Sequence, residues 1–285
     1  MATEFTTQRV TDGVWHIKDA RGGVMYLVAG EARALLIDTG FGEGDLPAHL
    51  ATLTDLPVVV VDTHYHGDHT MGNKHFAEAY IHTDDAPLVQ EPSAKLIPIV
   101  DGYVFDLGGR QLRTITVPGH TPGSICLLDK TSRILFTGDS PRPGAVWLHL
   151  PTSTTVQAFY TGLQRLKAFA NDFDTLAPAH GEPQPVGALL DDLITCAARI
   201  LEGTLEGKPE TSRFGDCLLA ELGSAGLMYL PNKIRSRWGG GARIISPEVH
   251  AGRTVTFRVK APNAQRVLLS ATTILNALGL SLIHI

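Results

Sequence analysis

Six residues, His64-Tyr65-His66-Gly67-Asp68-His69, constrain this chain more than any other stretch. They hold four side chains able to ligate a metal, and they closely follow Val58-Val59-Val60-Val61. A short β-branched apolar run bounded by Pro57 and Asp62 predicts a buried strand. The ligand types then fall on the loop at its end, where open α/β sheets carry their sites. Alternate residues of an extended chain share a face, so His64 and His66 can reach one ion together. Gly67 lets the chain turn, which aims Asp68 and His69 elsewhere. Imidazole and carboxylate suit zinc, and also iron or manganese.

Three later segments repeat the pattern. His120 sits in Val117-Pro118-Gly119-His120-Thr121-Pro122-Gly123-Ser124, a turn rich in Gly and Pro. Asp139 follows the apolar run Ile134-Leu135-Phe136, and His180 follows a short run ending in Leu176. The set HxHxDH, PGHTPGS, TGDS and PAHG, in this order, resembles the metallo-β-lactamase-fold hydrolases, including their glyoxalase II and lactonase branches. The resemblance runs from about Val10 to about Arg235.

The resemblance implies an α/β fold, a four-layer αββα sandwich, over residues 1–237. Motif by motif, it places His64, His66 and His120 on a first metal and Asp68, His69 and His180 on a second. Asp139 bridges both. Two zinc ions are implied, with iron or manganese as the alternatives. The implied activity is hydrolysis of an ester, thioester or lactone by a hydroxide shared between the ions. Asp68 and Asp139 are the implied catalytic carboxylates. Asp38, in Ile37-Asp38-Thr39-Gly40, matches a further family segment, and a carboxylate at that strand end can hold a ligand in orientation.

Asp139 separates the branches, because true metallo-β-lactamases carry cysteine or serine at that position. Arg142 stands where lactonases carry tyrosine; it contacts a substrate oxyanion or carboxylate, or it faces solvent. Trp147, in the long loop expected from Ser140 to Thr152, narrows the groove. Arg21, in the glycine-rich loop Asp19 to Gly23, is a third candidate for touching substrate. Competing readings are a phosphodiesterase, a weak β-lactamase, a mononuclear iron protein of the persulfide dioxygenase type, or a binding module that has kept its metals.

Composition narrows the partners. A net charge of −5 over 285 residues gives no footprint for nucleic acid or an anionic membrane. The segment Met1 to Arg9 is polar, unlike a signal peptide, and no apolar stretch approaches a membrane span. The expectation is a cytoplasmic protein acting on a small molecule, with a homo-oligomer left open. Three scattered cysteines, Cys126, Cys196 and Cys217, do not make a disulfide framework, and Cys126 reads as core.

The remaining elements follow from pattern. Gly13 to Lys18, Val24 to Val28 and Ala34 to Ile37 predict a strand meander. Asp45 to Leu53 predicts a surface helix with His49 outside the site, and Thr70 to Phe76 a short helix capped by Thr70. Asp84 to Leu96 reads as lid or loop, and His75 and His82 fall outside the ligand motifs. Strands are expected at Tyr103 to Phe105, Gln111 to Val117, Ser124 to Leu128 and Arg133 to Phe136. Helices are expected at Thr155 to Phe169, Gly187 to Leu201 and Phe214 to Leu222. Gly239-Gly240-Gly241 marks a linker, and 238–285 is expected to be that linker with a truncated β-rich segment. From about residue 243 it resembles the start of an esterase-type immunoglobulin-like domain, with strands at Arg253 to Lys260 and Arg266 to Leu269.

Overall fold

The computed structural model describes residues 5–90 and 93–235 and the two strands 243–250 and 254–260. The chain divides into two units, Met1–Ile234 and Arg235–Ile285. In the first, the strands are β1 Phe5–Thr11, β2 Val14–Asp19, β3 Val24–Ala29 and β4 Ala34–Ile37. Then follow helix α1 Leu46–Leu50, strand β5 Val58–Val61, the single-turn helix α2 Gly67–Thr70, and strands β6 Glu78–His82 and β7 Lys95–Ile99. These seven strands form one sheet in sequence order, antiparallel through β4 and parallel from β4 onward.

The second half adds β8 Val104–Asp106, β9 Gln111–Thr116, β10 Ile125–Asp129, β11 Ile134–Gly138 and β12 Gly144–Leu148. After helix α3 Val156–Lys167 come β13 Thr175–Pro178, β14 Gln184–Pro185 and helix α4 Leu189–Glu202. Strands β15 Lys208–Ser212, β16 Gly215–Leu222 and β17 Ala225–Tyr229 close the unit. A six-stranded sheet has the order β14-β13-β11-β10-β9-β8, and a four-stranded sheet the order β12-β17-β16-β15.

Strand alternation builds the layers. In β10, Ile125 and Leu127 join Tyr26, Leu35 and Val61 of the first sheet in one core. Cys126 and Leu128, pointing the other way, pack with Phe159, Leu163 and Leu193 of α3 and α4. Met25, Leu27 and Leu36 leave the opposite face of the first sheet for Leu46 and Leu50 of α1. Helix, sheet, sheet and helices therefore stack as the expected αββα sandwich. Cys126 is fully buried in it. α3 starts where Thr155 caps it, its side chain accepting from the Ala158 N–H.

Three expectations are corrected. Phe214 to Leu222 does not form a helix: it supplies β16, paired antiparallel with both β15 and β17. The helix-favouring Leu218-Leu219-Ala220 is overridden by pairing on both sides. The segment Ser140 to Thr152 is not all loop, because β12 lies inside it and pairs in parallel with β17. The helix after the metal motif begins at Gly67, with a 3-10 turn over Met71–His75. Thr70 makes no cap there; its hydroxyl donates back to His66 O at 3.2 Å. The segment Phe5–Thr11, polar on its exposed face, was not expected as a strand and pairs with β2.

In the second unit, β18 Arg243–His250 and β19 Thr254–Lys260 form an antiparallel pair. The expected linker over 238–242 and strand Arg266 to Leu269 lie outside the described residues. No described helix is long and apolar enough to cross a membrane.

Candidate metal centre

The site forms where strands of the two large sheets end. β4 runs parallel to β5, and β11 parallel to β13, so their carboxyl ends point to one edge. Asp38 follows β4, His64 and His66 follow β5, Asp139 follows β11, and His180 follows β13. His120 arrives on the turn after β9, while the single turn of α2 carries Asp68 and His69.

The seven side chains converge as two groups. His64, His66, His120 and Asp139 present ligand atoms within 4.8 Å of one another, as do Asp68, His69 and His180. In the first group, His66 Nδ1 lies 3.0 Å from both His64 Nε2 and His120 Nε2. Asp139 Oδ2 lies 3.2 Å from His120 Nε2. Its other oxygen, Oδ1, is 3.4 Å from His69 Nε2 and 3.2 Å from His180 Nε2. Asp68 Oδ2 completes the second group, 3.3 Å from His180 Nε2 and 3.5 Å from His69 Nε2. One carboxylate thus faces both groups, an oxygen to each.

The residues fit metal ions. Ligand atoms about 2 Å from a tetrahedral ion lie about 3.3 Å from each other, and the separations here cluster around that value. His69 Nε2 and Asp139 Oδ1 are buried with no hydrogen-bond partner. A buried polar atom left unpaired is costly, and an ion between them would remove that cost.

Outer contacts set each imidazole. His69 Nδ1 donates to Asp38 Oδ2 at 2.8 Å, and His120 Nδ1 donates to Trp147 O at 2.9 Å. The Thr63 hydroxyl donates to Asp38 Oδ2 at 2.9 Å and lies 3.1 Å from His64 Nδ1, so it accepts from that ring. With Nδ1 engaged, His64, His69 and His120 turn Nε2 lone pairs inward. Asp38 also accepts from the Thr63 N–H at 2.7 Å, and sits at φ +61°, a conformation non-glycine residues rarely adopt. That backbone turns its carboxylate toward the ligands.

His64 and His66 shift in the direction opposite to His69 and His180. Burial, reinforced by neighbouring histidines, holds His64 well below the usual range and His66 down at about 4. The Asp139 and Asp68 carboxylates beside it push His180 up to about 9. His69 is also raised: burial pulls it down, but the Asp38 and Asp139 carboxylates outweigh that. Burial alone would raise Asp68 and Asp139, yet the surrounding histidines hold both well below the carboxylate range.

A cavity of about 1040 Å³ opens on this centre. His66, Asp68, His120, Asp139 and His180 line one side; Arg142, Trp147, Leu150, Phe214 and Met228 are among the residues of the other walls. Of the three residues expected to touch substrate, Arg142 and Trp147 line this cavity. Arg21 does not line this cavity. It lies 4.1 Å over the Phe41 ring and 3.5 Å from Glu43. His49 bonds Thr7, His75 approaches Gly42 O, and His82 accepts from the Asp84 N–H, all apart from the two groups.

Two contributors escaped the sequence reading. Asp85, fully buried, accepts from the Tyr65 N–H at 3.0 Å, the Thr121 hydroxyl at 2.7 Å and the Gly123 N–H at 2.6 Å. It ties the His64–His66 loop to the His120 turn. No motif surrounds it, and burial pushes its carboxyl pKa above the usual carboxylate value. The second is the turn Ser212-Arg213-Phe214 between β15 and β16, which lines the cavity. Reading β16 as helix concealed that hairpin.

Comparison with known proteins identifies the family. The family model described as the metallo-beta-lactamase superfamily matches residues 19–180, more than half of the chain. The acyl-coenzyme A thioesterase MBLAC2 of Gallus gallus is 32% identical over 182 residues, covering 50% of this chain and 65% of its own. The lactamase-like protein ptaB of Pestalotiopsis fici is 30% identical over 169 residues, covering 58% and 52%. An atrochrysone carboxyl ACP thioesterase of Claviceps purpurea is 33% identical over 124 residues, covering 42% and 40%. The chain spans between two fifths and two thirds of the length of these curated relatives. A metallo-beta-lactamase from Erythrobacter litoralis superposes with a TM-score of 0.59 at 18% identity, covering 70% of this chain and 98% of its own. That likeness concerns the fold.

Proposed function

Because the chain belongs to the metallo-beta-lactamase superfamily, we propose that it is a two-metal hydrolase of ester, thioester or lactone bonds, with thioesters foremost. The observation that carries this reading is Asp139, whose two oxygens face different ligand groups. A carboxylate so placed would supply one oxygen to an ion in each group. His64, His66 and His120 would hold the first with Asp139, and Asp68, His69 and His180 the second. Bound ions supply Lewis acidity and bring the pKa of water toward neutrality. Zinc suits this donor set, with iron or manganese as alternatives.

The chain's own groups do the rest. Asp68 stays ionised and is partly exposed to the cavity, so its Oδ2 can receive the proton of an attacking water. Asp38 keeps the His69 ring aligned, and the Trp147 carbonyl does the same for His120. Tyr65, whose hydroxyl shares a hydrogen bond with Thr152 at 2.7 Å, and the apolar walls Trp147, Leu150 and Met228 orient the acyl part and exclude water. Thioesters stand first because two of the relatives are named thioesterases. The preference for acyl substrates over β-lactams rests on Asp139, with its additional negative charge at the centre.

The test is a panel of aryl ester, acyl thioester, lactone, phosphodiester and β-lactam substrates, given to metal-loaded and metal-stripped protein. Expected is the highest kcat/KM on a thioester or ester, abolished by stripping and restored by metal. A preference for β-lactams or phosphodiesters, or turnover that survives stripping, overturns the reading.

A further inference from the structure

We propose that Arg213 selects substrates carrying an oxyanion, carboxylate or phosphate, at the end remote from the bond that is cleaved. This rests on the hydrolase reading of the same cavity and names the class of molecule that enters it.

Arg213 and Phe214 form the two-residue turn of the β15–β16 hairpin, whose ends pair as Ser212 with Gly215. That turn is braced. The Ser212 hydroxyl donates to Gly215 O at 3.1 Å and accepts from the Phe214 N–H at 3.0 Å. His149, buried on the strand end beside Trp147, has Nε2 2.8 Å from the same hydroxyl. The base of the hairpin turn is therefore tied to the wall of the cavity through Ser212, while Arg213 and Phe214 stay exposed.

The guanidinium lies 4.7 Å from the Phe214 ring centroid and 5.5 Å from that of Trp147. The two rings themselves pack edge to face at 5.7 Å. Rings hold the flat face of an arginine but satisfy none of the five N–H donors around its edge. Among the described residues, no carboxylate pairs with Arg213, and all three residues line the cavity that holds Asp68 and Asp139. A cation pre-oriented by aromatic faces, with its donors unspent, is built to take an oxyanion in a two-pronged contact. Holding the side chain in advance also lowers the entropy lost on binding. Trp147 and Phe214 add a surface for a flat or apolar segment between the anion and the reacting carbonyl.

The experiment measures binding to metal-loaded protein by calorimetry, apart from turnover. Dicarboxylates of increasing length, glutarate, adipate and suberate, are compared with the monocarboxylates pentanoate, hexanoate and octanoate, and with ω-phosphono acids of the same lengths. Each pair shares one carboxylate for the metal centre and differs at the far end. Expected is one length at which a far-end anion binds roughly tenfold tighter than its neutral counterpart. That ratio collapses toward one in Arg213→Gln and is partly regained in Arg213→Lys, with unfolding temperatures unchanged. The phosphono arm tells whether phosphate or carboxylate is preferred. No preference at any length, or a preference that survives Arg213→Gln, overturns the proposal. If the ratio behaves as expected but no ester or thioester is turned over, the hydrolase reading fails alone; if neutral esters are cleaved without any anion preference, this inference fails alone.

Discussion

At the scale of single residues, the site is a set of lone pairs aimed by neighbours. Asp139→Ala should lower turnover more than any substitution outside the seven ligands, and should cost bound metal at both groups, read by elemental analysis. Retention of both metals would refute a shared carboxylate. Asp38→Ala leaves the His69 ring without its partner, and loss of such an outer contact typically weakens metal binding by about 10–100-fold. Protonation gives a further test. In metal-free protein His180, raised to about 9, is charged at pH 7.5, and His69 is raised as well, so a metal must displace protons there. Because the folded pKa lies above the ordinary value near 6.5, the folded protein keeps that proton past pH 6.5 and releases it as pH climbs through about 9. His64 and His66 are held low and are already neutral at pH 7.5. Calorimetric titration in buffers of different ionisation enthalpy should therefore show more protons released at the Asp68–His69–His180 group than at the other, with affinity there rising from pH 6.5 to 9. Equal proton release at both groups would contradict this. The ligand histidines were legible as short strings behind apolar runs. Asp85 was not, because its three partners lie 20 to 38 positions away in the chain.

At the scale of elements, a contact between loops rather than sheet pairing joins the His64–His66 loop to the His120 turn within the first ligand group. Asp85→Ala strips an acceptor from three donors, two of them buried, and each buried group left unsatisfied costs about 1–3 kcal/mol. The expected outcome is a lower thermal midpoint, together with metal binding weakened more at the His64–His66–His120 group than at the other. Equal weakening at both would show general damage instead. Helix α3 offers an independent check on why its boundary falls where it does: Thr155→Ala, which removes the cap on Ala158, should cost about 1 kcal/mol in denaturant unfolding. The helices of the second half and most strands were readable from spacing of apolar residues. β12 and β16 were not, for different physical reasons. β12 gains its place by pairing with a strand about eighty residues later, and β16 carries helix-forming leucines that are outweighed by two neighbours. Tertiary pairing of this kind leaves no local mark. The consequence was functional as well as structural, since the hairpin that presents Arg213 was hidden by the same misreading.

At the scale of the whole molecule, the ligand residues and the three apolar cores all lie within Met1–Ile234. The last turn of that unit is anchored: Lys233 Nζ donates to Leu150 O, Pro151 O and Ser153 O, and the Gln157 N–H donates to Ile234 O. We propose that a chain ending after Arg235 folds and binds metal, while one ending before Leu230 loses both, as followed by circular dichroism and metal content. The layered architecture was legible because the metal motifs came in an order that resembles one family, whereas the four-stranded sheet was not. We propose that seven residues form two adjoining ion sites that share Asp139. Calorimetric titration of metal-stripped protein with zinc should saturate at two equivalents per chain; saturation at one equivalent would refute the shared pair of sites.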